Sequence, residues 1–302
     1  MIREAENIVK IEGILSETDL KYGSFEKNGE KKNFIGGVIK VRVDQEIAGA
    51  ATTLEVPVHM FASEYTNKGT KNPAYQSIER IMNEYVSIAA AGGISGADCV
   101  RITNAKITMN EYYGPDGRLI AFPRITATFV NKVRNDELAP KAEFSAQFVV
   151  AKKVHEVDAE GVETGRFKVT GIIPQFGGRV DVVDFVTANP KVISAIEQYW
   201  NENDTVSAVG RLNFSSKTEK VIKEVDFGDP QETTRTISVS ELVITGGSST
   251  PLDGELAYEM SDVQEALSAR KERLEAAKTK AAAGKTRTAP EKNVKGALDL
   301  GF

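Results

Sequence analysis

The chain has 302 residues, of which 41% are hydrophobic and 27% charged. That is enough for about two domains with ordinary soluble cores. No apolar run reaches the roughly 18–20 residues of a membrane span. The opening MIREAENIVK carries acids and no apolar core segment, so it does not read as a secretory signal. The single cysteine, Cys99, excludes an internal disulfide and a Cys-rich zinc site, and a cytoplasmic location is expected. A net charge of −5 argues against a uniformly basic DNA packer but leaves room for a local basic groove.

Residues 8–17 alternate apolar and polar around Gly13 and read as a strand that bends at the glycine. Residues 18–33, with Lys21, Lys27, Lys31, Lys32, Gly23 and Gly29, read as a long polar loop. Strands are expected near 34–44 and 52–63. Asn72 and Pro73 then open a helix whose Ile78, Ile81, Met82, Tyr85 and Ala89 share a face, and Gly92 and Gly93 end it. Strands near 99–112 and 122–133 flank the turn YGPDGRL. After the linker RNDELAPKA the pattern restarts, with strands near 144–156, 166–174 and 179–187. A helix follows from Asn189 and Pro190, then strands near 205–214 and 236–245, with 218–227 extending or pairing with the former. Residues 261–280 form a separate helix with a narrow apolar stripe of Val263, Leu267, Leu274 and Ala277. It is left open between docking on the second half, pairing with another chain, and staying solvated. The Ala/Lys/Thr-rich stretch beyond it reads as disordered.

Each half therefore reads strand, strand, strand, helix, strand, strand. Asn72-Pro73 with Ile78, Glu79, Asn83 and Glu84 is echoed by Asn189-Pro190 with Ile196, Glu197, Asn201 and Glu202. The expected architecture is mainly β. Domain boundaries fall at 1–138, 139–250 and 251–302, the last being a C-terminal helix and flexible tail.

This element order resembles that of tandem OB-fold single-stranded DNA-binding proteins, of the kind encoded by tailed bacteriophages, over roughly residues 8–245. The resemblance implies two five-stranded barrels, each with a helix between strands 3 and 4. It also implies ligand binding on strands 2–3 and on the 1–2 and 4–5 loops. The partner it implies is single-stranded DNA, coated without sequence preference during phage replication or recombination, with neither cofactor nor catalysis. The terminal Phe302 matches the partner-docking phenylalanine of such proteins, which would engage replication or recombination proteins. The basic residues Lys285, Arg287, Lys292 and Lys295 depart from their acidic tails.

Strand binding needs cations along the phosphates and flat rings against the bases. In the first half these are Lys21, Tyr22, Phe25, Lys31, Lys32 and Phe34 around the first loop, and Lys40 and Arg42 on strand 2. Phe61, Tyr65, Lys68 and Lys71 follow strand 3, and Tyr112, Tyr113 and Arg118 surround the 4–5 loop. Tyr22, Tyr112 and Tyr113 rank first, because tyrosines in polar loops have little reason to be core. The second half offers Phe176 and Arg179 at a tight turn, and Arg211, Phe214, Lys217 and Lys220 on or after its fourth strand. Asp181 and Asp184 there repel phosphate, so the first half is expected to dominate. Trp200 and Tyr199 read as core.

Enzyme readings find little support. His59 and His155 lie in different halves, and Gly284-Lys285-Thr286 lacks the earlier glycine of a phosphate-binding loop. The alternative function is a protein–protein or virion structural module, because a small β-barrel does not fix its ligand.

Overall fold

The first half builds β1 (Asn7–Lys27), β2 (Glu30–Ile47), β3 (Ala50–Ser63), α1 (Pro73–Glu84), α2 (Ile88–Ala91), β4 (Cys99–Tyr113), β5 (Leu119–Thr126) and β6 (Asn131–Val133). The second builds β7 (Lys141–Val157), β8 (Glu163–Gln175), β9 (Arg179–Thr187), α3 (Pro190–Tyr199), β10 (Thr205–Lys223) and β11 (Gln231–Gly247), followed by α4 (Met260–Lys285). This is a computed structural model, and it describes residues 2–27, 29–47, 49–114, 116–223 and 231–285. The chain is mainly β, and no described helix is long and apolar enough to cross a membrane.

In the first half β1 pairs with β2 and β2 with β3. β3 runs parallel to β5, β5 pairs antiparallel with β4, and β4 returns to β1. The second half repeats the circuit through β7, β8, β9, β11 and β10, again with one parallel contact, Val186 beside Val243. Asn7–Glu12 of β1 also pairs with Lys141–Ala146 of β7, which joins the halves into one 11-stranded sheet.

The period-two alternation decides which side chains enter the core. On β2, Ile35, Ile39, Val41 and Val43 are buried, so Phe34, Val38, Lys40 and Arg42 face outward. On β3, Val56, Val58 and Met60 go in and Pro57, His59 and Phe61 out. Ile107 and Ile125 go in on β4 and β5, leaving Lys106, Thr108, Arg124 and Thr126 outside. In the second half the Phe148 and Phe185 rings stack at 4.7 Å, and Trp200 meets Phe148 edge-on at 5.9 Å. The Trp200 indole N–H donates to the Ser248 carbonyl at 2.8 Å, as a buried indole requires. Tyr199, expected in the core, is exposed instead, while Phe214 is buried. Adjacent positions at the end of a short helix point in different directions.

The two helices are capped alike. The Asn72 side chain accepts from Ala74 N–H and that of Asn189 from Lys191 N–H, both at 3.0 Å, with proline in the first turn.

Residues 18–33 are not a loop. β1 and β2 pair through Lys27 and Glu30, and Gly29 has φ +77° in the turn between them. The cross-strand ladder overrides the polar composition. Gly23 is required in that ladder, since a Cβ there would lie 2.3 Å from the Phe34 ring.

Glu12 fastens the junction of the halves. Its buried carboxylate accepts from Arg101 Nε and Nη2, both at 2.8 Å, and from Ala139 N–H at 2.9 Å, with Lys141 Nζ at 3.7 Å. The Arg101 hydrogen bonds, backed by the Ala139 N–H and the two positive charges, outweigh burial and hold its pKa at about 2.

Helix α4 docks where β4 and β9 meet, with Val263 and Ala266 buried and Leu267, Arg270 and Leu274 half-buried, whereas Ala277 of the expected stripe is exposed. Of the three options the sequence left open, docking is the one observed. The contact includes the first half as well as the second.

Candidate functional site

The outer face of β1, β2 and β3 carries a row of aromatic rings. Phe25 lies 6.0 Å from Phe34, and Phe34 lies 5.1 Å from Phe61. One end of the row opens into a cleft of about 440 Å³ lined by Phe25, Lys31, Lys32 and Tyr65 together with Glu30 and Glu64, where Lys32 lies 3.8 Å from Glu30. At the other end Phe61 borders a cleft of about 490 Å³, formed with His59, Lys106, Arg124 and Phe129. Phe61 and Phe129 are 58% and 56% exposed, so both rings present free faces. Lys106 and Arg124 also line a third cleft, which reaches Phe176 and Arg179 on the β8–β9 hairpin and Arg273 on α4. The three clefts form one track across the first half, ending where the second half and α4 meet it.

Within this track Arg124 has no carboxylate partner among the described residues, whereas Lys106 is paired with Glu4. Burial, with the nearby Arg124 charge, pushes the His59 imidazole below its ordinary pKa, so His59 adds no positive charge at neutral pH. The track can therefore hold anions through arginine and lysine and stack flat groups on phenylalanine.

Of the residues expected from sequence, Phe25, Lys31, Lys32 and Tyr65 converge in one cleft, and Phe176 and Arg179 join the junction cleft. Tyr112 lies on the outer face of β4, with Phe122 edge-on at 6.4 Å. Tyr113 is the next residue of the strand and so points the opposite way, where Lys278 Nζ lies 5.9 Å from its ring. Tyr22 also leaves the track, donating to Glu79 on α1 at 3.0 Å beside Tyr75. Lys21, Lys40, Arg42 and Arg118 pair with Asp19 at 2.9 Å, Glu17 at 2.5 Å, Asp44 at 2.9 Å and Asp116 at 3.6 Å. The Glu17 and Asp44 hydrogen bonds hold Lys40 and Arg42 above their ordinary pKa values. The side chain of Lys217 and the whole of Phe302 lie outside the described residues.

The family described as YorF matches residues 5–280. The chain belongs to the YorF family. No curated protein matches its sequence. Its fold is similar to that of the wild-type single-stranded DNA binding protein from Thermus aquaticus. The identity is 8% and the TM-score 0.51, over 86% of this chain and 99% of that one. A deletion mutant of the Thermus aquaticus protein aligns at 10% identity and a TM-score of 0.46, over 83% of this chain and 97% of that one.

The second half of this YorF chain lacks the same surface. In the first half Thr108 on β4 faces Arg124 on β5; at the corresponding cross-strand position of the second half Asn213 faces Glu241. Glu241 accepts from Arg166 at 2.6 Å and from Asn213 at 2.8 Å, which engages one of the two arginines lining that cleft and leaves Arg211 as the other. No aromatic residue lines it.

Sequence reasoning missed Lys106, Arg124, Phe129 and Arg273. Alternation along β4 and β5 was a sufficient signal to place Lys106 and Arg124 outward, but not to show that they face Phe61. Phe129 and Arg273 reach the track from a loop and from a distant helix, and no local pattern marks them.

Proposed function

We propose that this chain binds single-stranded DNA without sequence preference along the first-half track, through phosphate contacts and base stacking. The observation that carries the reading is the row of Phe25, Phe34 and Phe61 rings, with Phe129 in the adjoining cleft and Phe176 in the next, among Lys31, Lys32, Lys106, Arg124 and Arg179. Stacking contributes roughly 1–3 kcal/mol per base and tolerates any base. The likeness in fold to a protein titled as single-stranded DNA binding supports the same ligand. We read each pairing circuit as a five-stranded OB barrel, with domains at 1–138 and 139–250. The track then falls on strands 2–3 and the 1–2 and 4–5 hairpins, where such barrels bind oligonucleotides. Coating strands exposed in replication or recombination, in the phage setting the resemblance implies, is the role assigned to this binding. Phe302 is the assigned contact for protein partners.

Fluorescence titration of labelled oligo-dT at two salt concentrations tests the reading. Lys31, Arg124 and Arg179 have no carboxylate partner among the described residues. At about −0.7 per phosphate neutralised on a single strand, those three alone predict a log–log salt slope of roughly −2 or steeper. Absence of binding at low salt refutes the proposal.

A further inference from the structure

The junction cleft is assembled from three separate parts of the chain. β4 and β5 bring Lys106 and Arg124, the β8–β9 hairpin brings Phe176 and Arg179, and α4 brings Arg273 and Leu274. Phe176 is 81% exposed and sits before Gly177 and Gly178, whose φ values of +77° and +75° set the turn that presents it. The acids at the site are largely occupied. Glu4 takes Lys106, Glu111 takes Arg270, and Asp181 accepts from the Met109 N–H and the Gln175 amide, at 3.2 and 3.1 Å. Arg273 stands apart from this bonding. Its guanidinium is 4.0 Å from Glu111, beyond hydrogen-bond distance, and its side chain is 43% exposed. The cleft thus places four cations around about 490 Å³: Lys106 is paired with Glu4, Arg273 lies at 4.0 Å from Glu111, and Arg124 and Arg179 have no carboxylate partner among the described residues.

Resting on the reading that a strand occupies the groove, we infer that α4 completes it: Arg273, with Lys106, Arg124 and Arg179, forms a phosphate subsite, and filling that subsite fastens α4 to the sheet. The helix is held by a thin stripe and the Arg270–Glu111 pair, and its outer turns carry Lys271, Glu272 and Glu275 in solvent. A helix docked on so little apolar surface opens locally at low cost. A ligand that binds only the docked arrangement suppresses that opening by the factor one plus ligand concentration over Kd.

The test uses the full chain and oligo-dT. Hydrogen exchange of the α4 amides over 263–279 is expected to slow on saturation, by up to about 100-fold at one hundred times Kd. Arg273→Ala is expected to make the salt slope shallower by about 0.7 and to weaken binding about five-fold at 0.1 M salt, with Arg273→Lys restoring most of both. Unchanged exchange in α4 on saturation of the unsubstituted chain overturns the inference, whatever the variants do. So does an unchanged slope in a folded Arg273→Ala chain. If oligo-dT binds and Arg124→Ala weakens it while both α4 readouts stay flat, the inference fails and the proposed function stands. If oligo-dT does not bind at all, the proposed function fails and this inference with it.

Discussion

Replacing Glu12 by Gln removes the charge that secures β1 to β4 and to the segment leading into β7. Holding the acid at about 2 instead of 4.5 corresponds, at roughly 1.4 kcal/mol per pH unit, to about 3 kcal/mol of folding stability. Arg101 is 40% exposed and recovers water when its partner is lost, so the expected loss at pH 7 is about 2–3 kcal/mol, not more. The sign follows from a depressed folded pKa. The carboxylate contributes fully above the unfolded value near 4.5, and the contribution fades as pH falls toward 2. Urea unfolding of both chains at pH 7, 5 and 3 measures this. Far-UV circular dichroism follows the whole sheet, and the fluorescence of the buried Trp200, the only tryptophan, follows the second half. The difference between the chains is expected to be nearly constant from pH 7 to 5 and clearly smaller at pH 3. A difference below about 0.5 kcal/mol at pH 7, or one as large at pH 3 as at pH 7, refutes the reasoning.

Arg124→Ala is expected to reduce oligo-dT affinity about five-fold at 0.1 M salt and to make the slope shallower by about 0.7, read by the same titration. Phe61→Ala is expected to weaken binding by about 1–3 kcal/mol while leaving the urea midpoint nearly unchanged, because its exposed ring carries little of the core. Tyr112→Ala is expected to weaken binding and Tyr113→Ala to leave it intact, since consecutive strand residues face opposite sides; equal effects in the titration sink the facial assignment. Gly23→Ala is expected to cost at least about 1–3 kcal/mol by urea unfolding, because its methyl group meets the Phe34 ring.

Much of the element order was legible in the sequence because its signals are local. The Asn-Pro starts of α1 and α3 are capping chemistry, complete within a few residues, and both helices begin there. The strands expected near 34–44 and 52–63 likewise fall within β2 and β3. Residues 18–33 failed that reading, since a polar hairpin is held by its ladder and by Phe34 lying over Gly23, neither of which composition reveals. Among the residues expected at the site, Phe25, Lys31, Lys32 and Tyr65 share one cleft because they cluster near one hairpin. Tyr22 and Tyr113 lie away from the aromatic row, a facing that a loop assignment does not carry, whereas a strand gives each residue a side.

The sequence by itself determined the starts of α1 and α3 and the order of most strands, but not the hairpin formed by residues 18–33. Only the tertiary structure decided which outward residues share a surface. The parallel contact of β3 with β5 sets Phe61 and His59 beside Arg124 and Thr126, more than sixty residues away. The β8–β9 hairpin and α4 close the same groove from farther still. Such contacts depend on how the sheet closes and which faces remain uncovered, a property of the whole packing that no segment encodes alone.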